Sequence, residues 1–248
     1  MNAIWILCLR QLKRYSRSRS RIIGSLGQPT LFLLALGFGL GPTFRRAGGG
    51  DYRQFLSPGV IAMAILFTSI FSGIELIWDR QFGFLKETLV APVSRIQVVF
   101  GRALGGALVA MLQGIIVLVI SMIAGFRFQS WALLPLALLF MFLISLLFTS
   151  VGTAIGSVMQ DMQGFQLVMN FLVMPLFFLS GALFPLTTAP AALRIVSYFD
   201  PLSYGIDAMR ALLINTTTFG LGLDIGVLLA ITLIFLGLGS YFFSKIQA

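Results

Sequence analysis

The sequence contains few side chains that could carry out chemistry, and their types exclude most enzymatic mechanisms. Among its 248 residues there is no His, and Cys8 is the single Cys. Histidine acid–base chemistry, zinc sites built from Cys and His, and intrachain disulfides are therefore excluded. The eight acidic residues are scattered, whereas a lipid-modifying enzyme needs clustered acids, a metal set or an activated nucleophile. We therefore predict no catalytic residue, no metal ligand and no cofactor-binding residue in this chain.

Two pairs of charged residues have a spacing that could join them on a helix. Glu75 and Asp79 are four residues apart, and Asp207 and Arg210 are three residues apart, so each pair shares a helical face. For Glu75 and Asp79 we favour helix-end hydrogen bonds or an ion pair with Arg80 over a metal site. For Asp207 and Arg210 we favour a structural ion pair over a role in substrate binding.

The sequence also lacks a loop that could bind nucleotide phosphates. None of its three lysines follows a glycine, so the pattern G-x-x-x-x-G-K-[ST] is absent. None of the acidic residues lies in the middle of an apolar segment, which argues against a proton- or ion-coupled carrier. If the chain takes part in ATP-driven work, another subunit must bind ATP and Mg²⁺.

The elements that position these residues are those of an integral membrane protein. Apolar residues make up 58% of the chain and charged residues only 10%, against roughly 25% charged residues in a soluble domain. So few charges cannot cover the surface of a water-soluble fold. Six intervals without charge are long enough to span a bilayer, which needs about 20 residues. They cover residues 22–44, 54–74, 103–126, 128–160, 162–193 and 225–244.

We predict an all-α polytopic membrane protein with six transmembrane helices in a single domain, 1–248. The spans are placed at residues 22–44, 54–78, 100–126, 131–158, 165–186 and 219–243. An even number of spans puts both termini on one side, and eleven of the 17 Lys and Arg residues fall on that side. The positive-inside rule then makes the termini cytoplasmic. The same asymmetry explains the net charge of +9 without a nucleic-acid partner.

Residues 1–21 are predicted to form an amphipathic helix in the membrane interface. One face carries Trp5, Cys8, Leu9, Leu12 and Ser16. The opposite face carries the basic residues Arg10, Lys13, Arg14, Arg17 and Arg21. Such a helix is typical of a basic topology anchor that lies among the lipid headgroups. Contact with a cytoplasmic partner is a second interpretation that the pattern leaves open.

The cytoplasmic loop at residues 79–97 is unusually apolar. Loops at a protein surface are normally polar, but Phe82, Phe84, Leu85 and Leu89 can lie along one side of a short helix. Such a helix needs an apolar surface to cover it. That surface is either a groove on a cytoplasmic ATPase or, as the alternative, the headgroup region or the chain's own bundle.

A second irregular region precedes the last span, at residues 187–214. Prolines at 185, 190 and 201 interrupt any continuous helix there. The segment is apolar but carries Arg194, Asp200, Asp207 and Arg210, so it cannot cross the hydrocarbon. We predict short re-entrant helices in the outer interface.

Three stretches of the chain together resemble permease subunits of type-2 ABC transporters, in the drug-exporter branch typified by the daunorubicin-resistance membrane protein. They are Leu56-Ser57-Pro58-Gly59; Asp79-Arg80 through Gly83 to Ala91-Pro92-Val93-Ser94-Arg95; and Gly181 to Pro185 with Pro201-Leu202-Ser203-Tyr204-Gly205 and Arg210. The resemblance implies an amphipathic first helix, a coupling helix between spans two and three, and re-entrant helices before span six.

The resemblance also implies an assembly. Two permease halves, expected as a homodimer, would work with two copies of a separate ABC ATPase subunit that binds ATP and Mg²⁺. The ATPase-coupling role falls on Phe82, Gly83, Phe84, Leu85, Lys86 and Glu87.

The implied function is that of the membrane subunit of an exporter in a bacterial or archaeal inner membrane. It would move an amphipathic drug-like or lipid-like compound out of the cytoplasm or the inner leaflet. Alternatives are the export of a lipid-linked polysaccharide or an ion, or a non-ABC membrane scaffold or enzyme. No residue is predicted to bind the cargo.

Overall fold

The computed structural model describes residues 3–46, 50–84 and 93–245, and within these ranges the regular structure is entirely helical. Two short 3₁₀ turns cover Trp131–Leu133 and Leu186–Thr188. The α-helices are α1 (Ala3–Arg17), α2 (Arg19–Gly39), α3 (Gly41–Arg46), α4 (Tyr52–Phe71), α5 (Ile74–Gln81), α6 (Arg95–Ile123), α7 (Leu134–Val158), α8 (Met162–Leu179), α9 (Ala191–Phe199), α10 (Pro201–Ile214) and α11 (Leu221–Ser244).

Six helical segments are long and apolar enough to cross a membrane, which confirms the predicted all-α, six-span class. They cover Ile22–Gly39, Tyr52–Gln81, Arg95–Ile123, Trp131–Val158, Met162–Leu179 and Leu221–Ser244. The second of these combines α4 with the short helix α5. The remaining helices α1, α3, α9 and α10 flank the spans in the chain.

The second span forms the centre of the bundle. In its most apolar stretch 72% of the residues are buried, against 17% in the first span and 22% in the fifth and sixth. It packs against α2, α6, α7 and α10. A central helix surrounded by others must be apolar on all sides, and α4 is buried almost continuously from Leu56 to Leu66. The second span therefore contacts at least four other helices of the bundle.

Side chains at the membrane boundaries fix where the helices begin. Asp51 caps α4 by accepting from Arg53 N at 3.0 Å, and Asp161 caps α8 by accepting from Gly164 N at 2.6 Å. Asp200 caps α10, and Ser94 forms a capping box at the start of α6. These groups satisfy backbone N–H donors that have no partner within the helix. Three of the chain's eight acids are thereby assigned to capping.

Helix α1 packs against the first half of α6. Cys8 and Tyr15 are buried, whereas Trp5 and Ser16, which we placed on the apolar face, are exposed. The packed face is therefore turned relative to the predicted one. The reason lies on α6, where Gly105 presents no side chain: a Cβ there would come within 3.1 Å of the Cys8 Cα. The glycine surface of α6, rather than the apolar pattern of α1, therefore determines which face of α1 packs against α6.

Candidate functional site

The site begins where the second span breaks, between α4 and α5. The N–H of Gly73 donates to the Ile70 carbonyl at 3.1 Å, and the helix resumes at Ile74. A Cβ on Gly73 would overlap the backbone carbonyl of Gly152 in α7. The break is therefore held against the fourth span by direct backbone packing, and α5 continues from it as a separate short helix.

Asp79 on α5 is the centre of a buried ion-pair cluster. Its Oδ2 accepts from Arg10 Nη2 of α1 at 2.7 Å and also from Arg102 Nη2 of α6. The side chains of Asp79 and Arg102 are each only 6% exposed. A buried guanidinium requires a compensating charge, so the carboxylate joins three helices at one point. We call Arg10, Asp79 and Arg102 the Asp79 cluster.

A second set of contacts ties α5 to its other neighbours. Glu75 faces Arg14 of α1, with 4.0 Å between Oε2 and Nη1. Arg80 donates to the Ser157 carbonyl at 2.9 Å and to the Met159 carbonyl at 3.1 Å. The predicted ion pair with Arg80 is therefore wrong, because that guanidinium caps the end of α7. Together with the Asp79 cluster, these bonds fix α5 to α1, α6 and α7.

The predicted coupling segment follows directly after α5. Phe82 ends the helix, with its N–H donating to the Trp78 carbonyl at 2.9 Å. Gly83 has φ +78°, a left-handed conformation that glycine adopts without strain. Phe82 is 68% exposed and Phe84 is 54% exposed. The other three predicted residues, Leu85, Lys86 and Glu87, lie outside the described residues.

A basic groove lies beside this segment. Its volume is about 890 Å³, and Phe84 and Asp79 line one part of it. The rest is lined by the end of α1 and the start of α2, with the basic residues Arg10, Lys13, Arg14, Arg17 and Arg19. An exposed aromatic surface next to a basic groove is suited to a protein partner that presents both an apolar pocket and acidic residues.

At the opposite end of the molecule, Asp207 and Arg210 take separate partners, so the predicted ion pair between them is wrong. Arg210 Nη2 donates to the carbonyls of Gly181 and Ala182 at 2.9 and 3.1 Å. Its guanidinium carbon lies 3.8 Å from the centre of the Phe55 ring. Both carbonyls belong to the turn that follows α8, so Arg210 fixes that turn.

Asp207 closes the loop that precedes the last span. It accepts from Thr217 Oγ1 at 2.8 Å, Thr218 N at 2.7 Å and Phe219 N at 2.9 Å. A carboxylate that receives several N–H and O–H donors is stable when buried. Both residues therefore make structural contacts. Each of them bonds to a separate backbone turn, and they do not form an ion pair with each other.

Sequence reasoning missed Arg10 and Arg102 as partners of Asp79. A signal for Arg102 was present, because it lies within the segment 100–126 that we placed in the membrane. A charge inside a span requires a partner, and Asp79 is the acid at the adjoining end of the preceding span. No comparable signal marks Arg10, which is one of several basic residues on α1.

The comparisons with known proteins agree with this architecture. Residues 2–214 match the family of the ABC-2 type transporter. The transport permease ycf38 of Cyanophora paradoxa is 30% identical over 98% of this chain and 88% of its own length.

Two further relatives come from bacteria. Nodulation protein J of Rhizobium leguminosarum bv. viciae is 29% identical over 84% of this chain and 80% of its own. The inner membrane transport permease YadH of Escherichia coli strain K12 is 28% identical over 73% of this chain and 70% of its own length. The predicted resemblance is thereby confirmed at the level of the family, and this chain belongs to the ABC-2 type transporter family of membrane proteins.

Proposed function

We propose that this chain is the permease of an ATP-driven exporter that works with a separate ABC ATPase. In this proposal two permease copies pair with two ATPase copies in an inner membrane, and both termini face the cytoplasm. The cargo is an amphipathic drug-like or lipid-like compound that leaves the cytoplasm or the inner leaflet. Apolar span walls suit such a cargo better than an ion or a free sugar.

The observation that carries this proposal is the exposed aromatic pair at the end of α5. Phe82 and Phe84 stand on either side of a glycine turn, beside the basic groove. Exposed aromatic side chains that can enter an apolar pocket are common anchors of protein interfaces. We assign them, with Gly83, Leu85, Lys86 and Glu87, to the ATPase contact.

The contacts of α5 provide a route from that surface into the bundle. A displacement of Phe82 moves α5, and the Asp79 cluster passes the displacement to α1 and α6. The bonds of Arg80 pass it to the end of α7. Since α5 continues from the central second span, a small shift at the cytoplasmic surface reaches the middle of the membrane domain. Packed elements of this kind change position in discrete steps rather than deforming smoothly.

The test is to replace Phe82 and Phe84 by Asp, together, in a tagged chain that is produced with its ATPase and purified from membranes. We expect the wild-type chain to retain the ATPase and to show ATP-dependent transport in proteoliposomes. The double variant should insert normally but lose transport, with at least a tenfold weaker ATPase association, roughly the loss of one hot-spot contact.

The matched control is Phe199→Asp, because Phe199 is 83% exposed at the opposite end of the molecule. It places one carboxylate where an exposed Phe stood, as each of the two substitutions does, and should leave ATPase association unchanged. Full transport by the Phe82 and Phe84 double variant would contradict the assignment. A wild-type chain that purifies without ATPase activity would contradict the exporter function itself.

A further inference from the structure

A cavity of about 220 Å³ lies between α2 and α4. Tyr15 of α1 also lines it, and α2 contributes residues from its first half. Gln28 is one of these residues and lies six positions after Ile22, where the first span begins. With a rise of 1.5 Å per residue, this places it about 9 Å into the span. We refer to this space as the α2–α4 cavity.

Two hydrogen-bonding side chains line the cavity at the level of the first and second spans. Gln28 of α2 and Thr68 of α4 both line it. In the part of the chain that the structure describes, neither side chain has a hydrogen-bond partner, and Gln28 is exposed. An amide or hydroxyl without a partner is unfavourable at hydrocarbon depth. Two such groups that line one cavity can both bond to a ligand that enters it.

The other wall of the cavity is apolar and partly aromatic. The rings of Phe67 and Phe71 lie nearly parallel, with 6.4 Å between their centres and an angle of 14°. Met63 completes this wall, and its flexible thioether adapts to different shapes. A flat apolar group could therefore rest against α4 while its polar atoms face Gln28 and Thr68.

Charge and volume narrow the class of ligand further. Among the described residues that line the cavity there is no acid and no base, and such a lining favours an uncharged group. A volume of about 220 Å³ is below the roughly 300–1,000 Å³ of pockets that enclose a whole drug-sized molecule. A drug-sized molecule would therefore place only one end in this cavity.

The cavity also adjoins the moving parts of the proposed mechanism. Phe71 is the last residue of α4, directly before the break that leads to α5. The Tyr15 hydroxyl donates to the side chain of Gln113 on α6, so α1 contacts both the cavity and the third span. A displacement of α5 or α1 would change the shape of the cavity.

We infer that the α2–α4 cavity binds the uncharged, ring-bearing end of an amphipathic molecule through Gln28 and Thr68. The molecule reaches the cavity from the half of the bilayer that is nearer to α1. The description of this molecule as cargo rests on the proposed function; the binding site itself rests on the geometry of the cavity.

The test uses 4-(hydroxymethyl)benzophenone, an uncharged probe with two rings, a ketone and a hydroxyl. On irradiation its ketone inserts into nearby C–H bonds, and methionine is a favoured target. The permease with its ATPase, in phosphatidylcholine nanodiscs, is labelled over a range of probe concentrations, and the labelled peptides are identified by mass spectrometry. We expect saturable labelling on α4, with Met63 as the main site.

The variant that tests the inference combines Gln28→Leu with Thr68→Val, which removes both hydrogen-bonding groups at nearly constant volume. Its labelling at α4 should fall about tenfold, the effect expected from the loss of two hydrogen bonds to the probe. Gln166→Leu is the matched control, because it removes an exposed amide from α8 and should change the labelling less than about twofold.

Two results would overturn the inference. One is labelling that spreads over all spans without saturation, and the other is labelling of α4 that the double variant leaves unchanged. Failure of the proposed function gives a different result: the chain purifies without an ATPase but is still labelled at α4. Assembly with an active ATPase but without specific labelling contradicts only the cavity.

Discussion

The two ends of this membrane domain bury their charges in different ways. At the end that holds α1 and α5, called the inner end here because the proposed orientation places both termini in the cytoplasm, Asp79 bonds to the side chains of Arg10 and Arg102 on two other helices. At the end that holds α10, which is the outer end in the proposed orientation, Arg210 donates to two backbone carbonyls, and Asp207 accepts mainly from backbone N–H groups. The inner end thus joins separate helices, whereas the outer end fixes the turns that connect them.

This difference has a mechanical consequence. An ion pair between side chains on separate helices can form again with changed geometry after the helices shift. A side chain that holds a turn through its carbonyls permits one arrangement of that turn. We therefore expect the inner end to transmit movement and the outer end to resist it. Each of the following experiments tests one part of this contrast.

The largest effect is expected from Asp79→Ala. The variant leaves the buried guanidinium of Arg102 without its counter-charge, and breaking a buried pair in this way costs about 3–5 kcal/mol. The free energy of unfolding in detergent should fall by that amount, and transport per ATP hydrolysed should fall with it. Adding Arg102→Met should restore part of the stability but not the transport per ATP hydrolysed, since the ion pair between α5 and α6 stays absent.

The double-mutant cycle of Asp79 and Arg102 provides the control for that experiment. A coupling energy near zero would show that the two side chains act independently, contrary to the joint burial that we describe. If the double variant regained both its stability and its transport per ATP hydrolysed, the cluster would only stabilise the fold.

Arg210→Met should have the next largest effect, at the outer end. It removes the donors to Gly181 and Ala182 and the contact with the Phe55 ring, so the free energy of unfolding should fall by about 2–3 kcal/mol. Arg210→Lys should lose less, because the ammonium retains a charge and one donor direction. Transport per ATP hydrolysed should be unchanged in the folded fraction. A loss of coupling as large as that of Asp79→Ala would remove the contrast between the two ends.

A smaller effect is expected from Gly105→Ala, at the point of α6 where α1 packs. The new methyl group would lie 2.8 Å from Gln11 Oε1 and 3.1 Å from Cys8 Cα, and overpacking of this kind costs about 1–3 kcal/mol. Gly222→Ala is the matched control in the last span, because nothing lies within 4 Å of the added atom. Thermal unfolding should separate the two variants. Equal behaviour would mean that α1 does not rest on Gly105.

The smallest effect concerns pH at the outer end. Burial raises the pKa of the Asp200 carboxyl from 3.8 to about 8, so the folded state retains a proton that the unfolded state releases. The free energy of unfolding therefore falls as the pH rises, by at most about 1.4 kcal/mol between pH 6.5 and 7.5. Asp200→Asn stays uncharged and should lack this slope between pH 6.5 and 7.5. If the free energy of unfolding changed with pH in the same way in the wild-type chain and in Asp200→Asn, the raised pKa of Asp200 would be contradicted.

Local patterns in the sequence predicted the parts of the site that depend on one segment. The apolar pattern of the loop at residues 79–97 predicted that Phe82 and Phe84 need an apolar surface to cover them, and both are exposed in the structure; their ATPase-coupling role stays a prediction. The partners of Asp79 could not be identified in the same way. They lie 69 and 23 positions away, and no periodicity within a helix relates such residues.

The glycines show the same limit. The G-x-x-x-G pairs at Gly101 with Gly105 and at Gly222 with Gly226 are indistinguishable as sequence. In the structure a Cβ on Gly101 would meet Leu7 of α1 at 3.0 Å, whereas Gly222 and Gly226 have nothing within 4 Å. Spacing permits a close helix crossing, but only the arrangement of neighbouring helices decides whether one occurs.

The sequence by itself determined the six spans, since charge is too costly in hydrocarbon to be placed anywhere but between or at the ends of them. The tertiary structure alone decided the partner of each buried charge. Asp79 and Arg80 are adjacent in sequence, yet consecutive side chains on a helix point about 100° apart and cannot face each other. Their partners come from whichever helices pack on each side, and that packing is a property of the whole bundle.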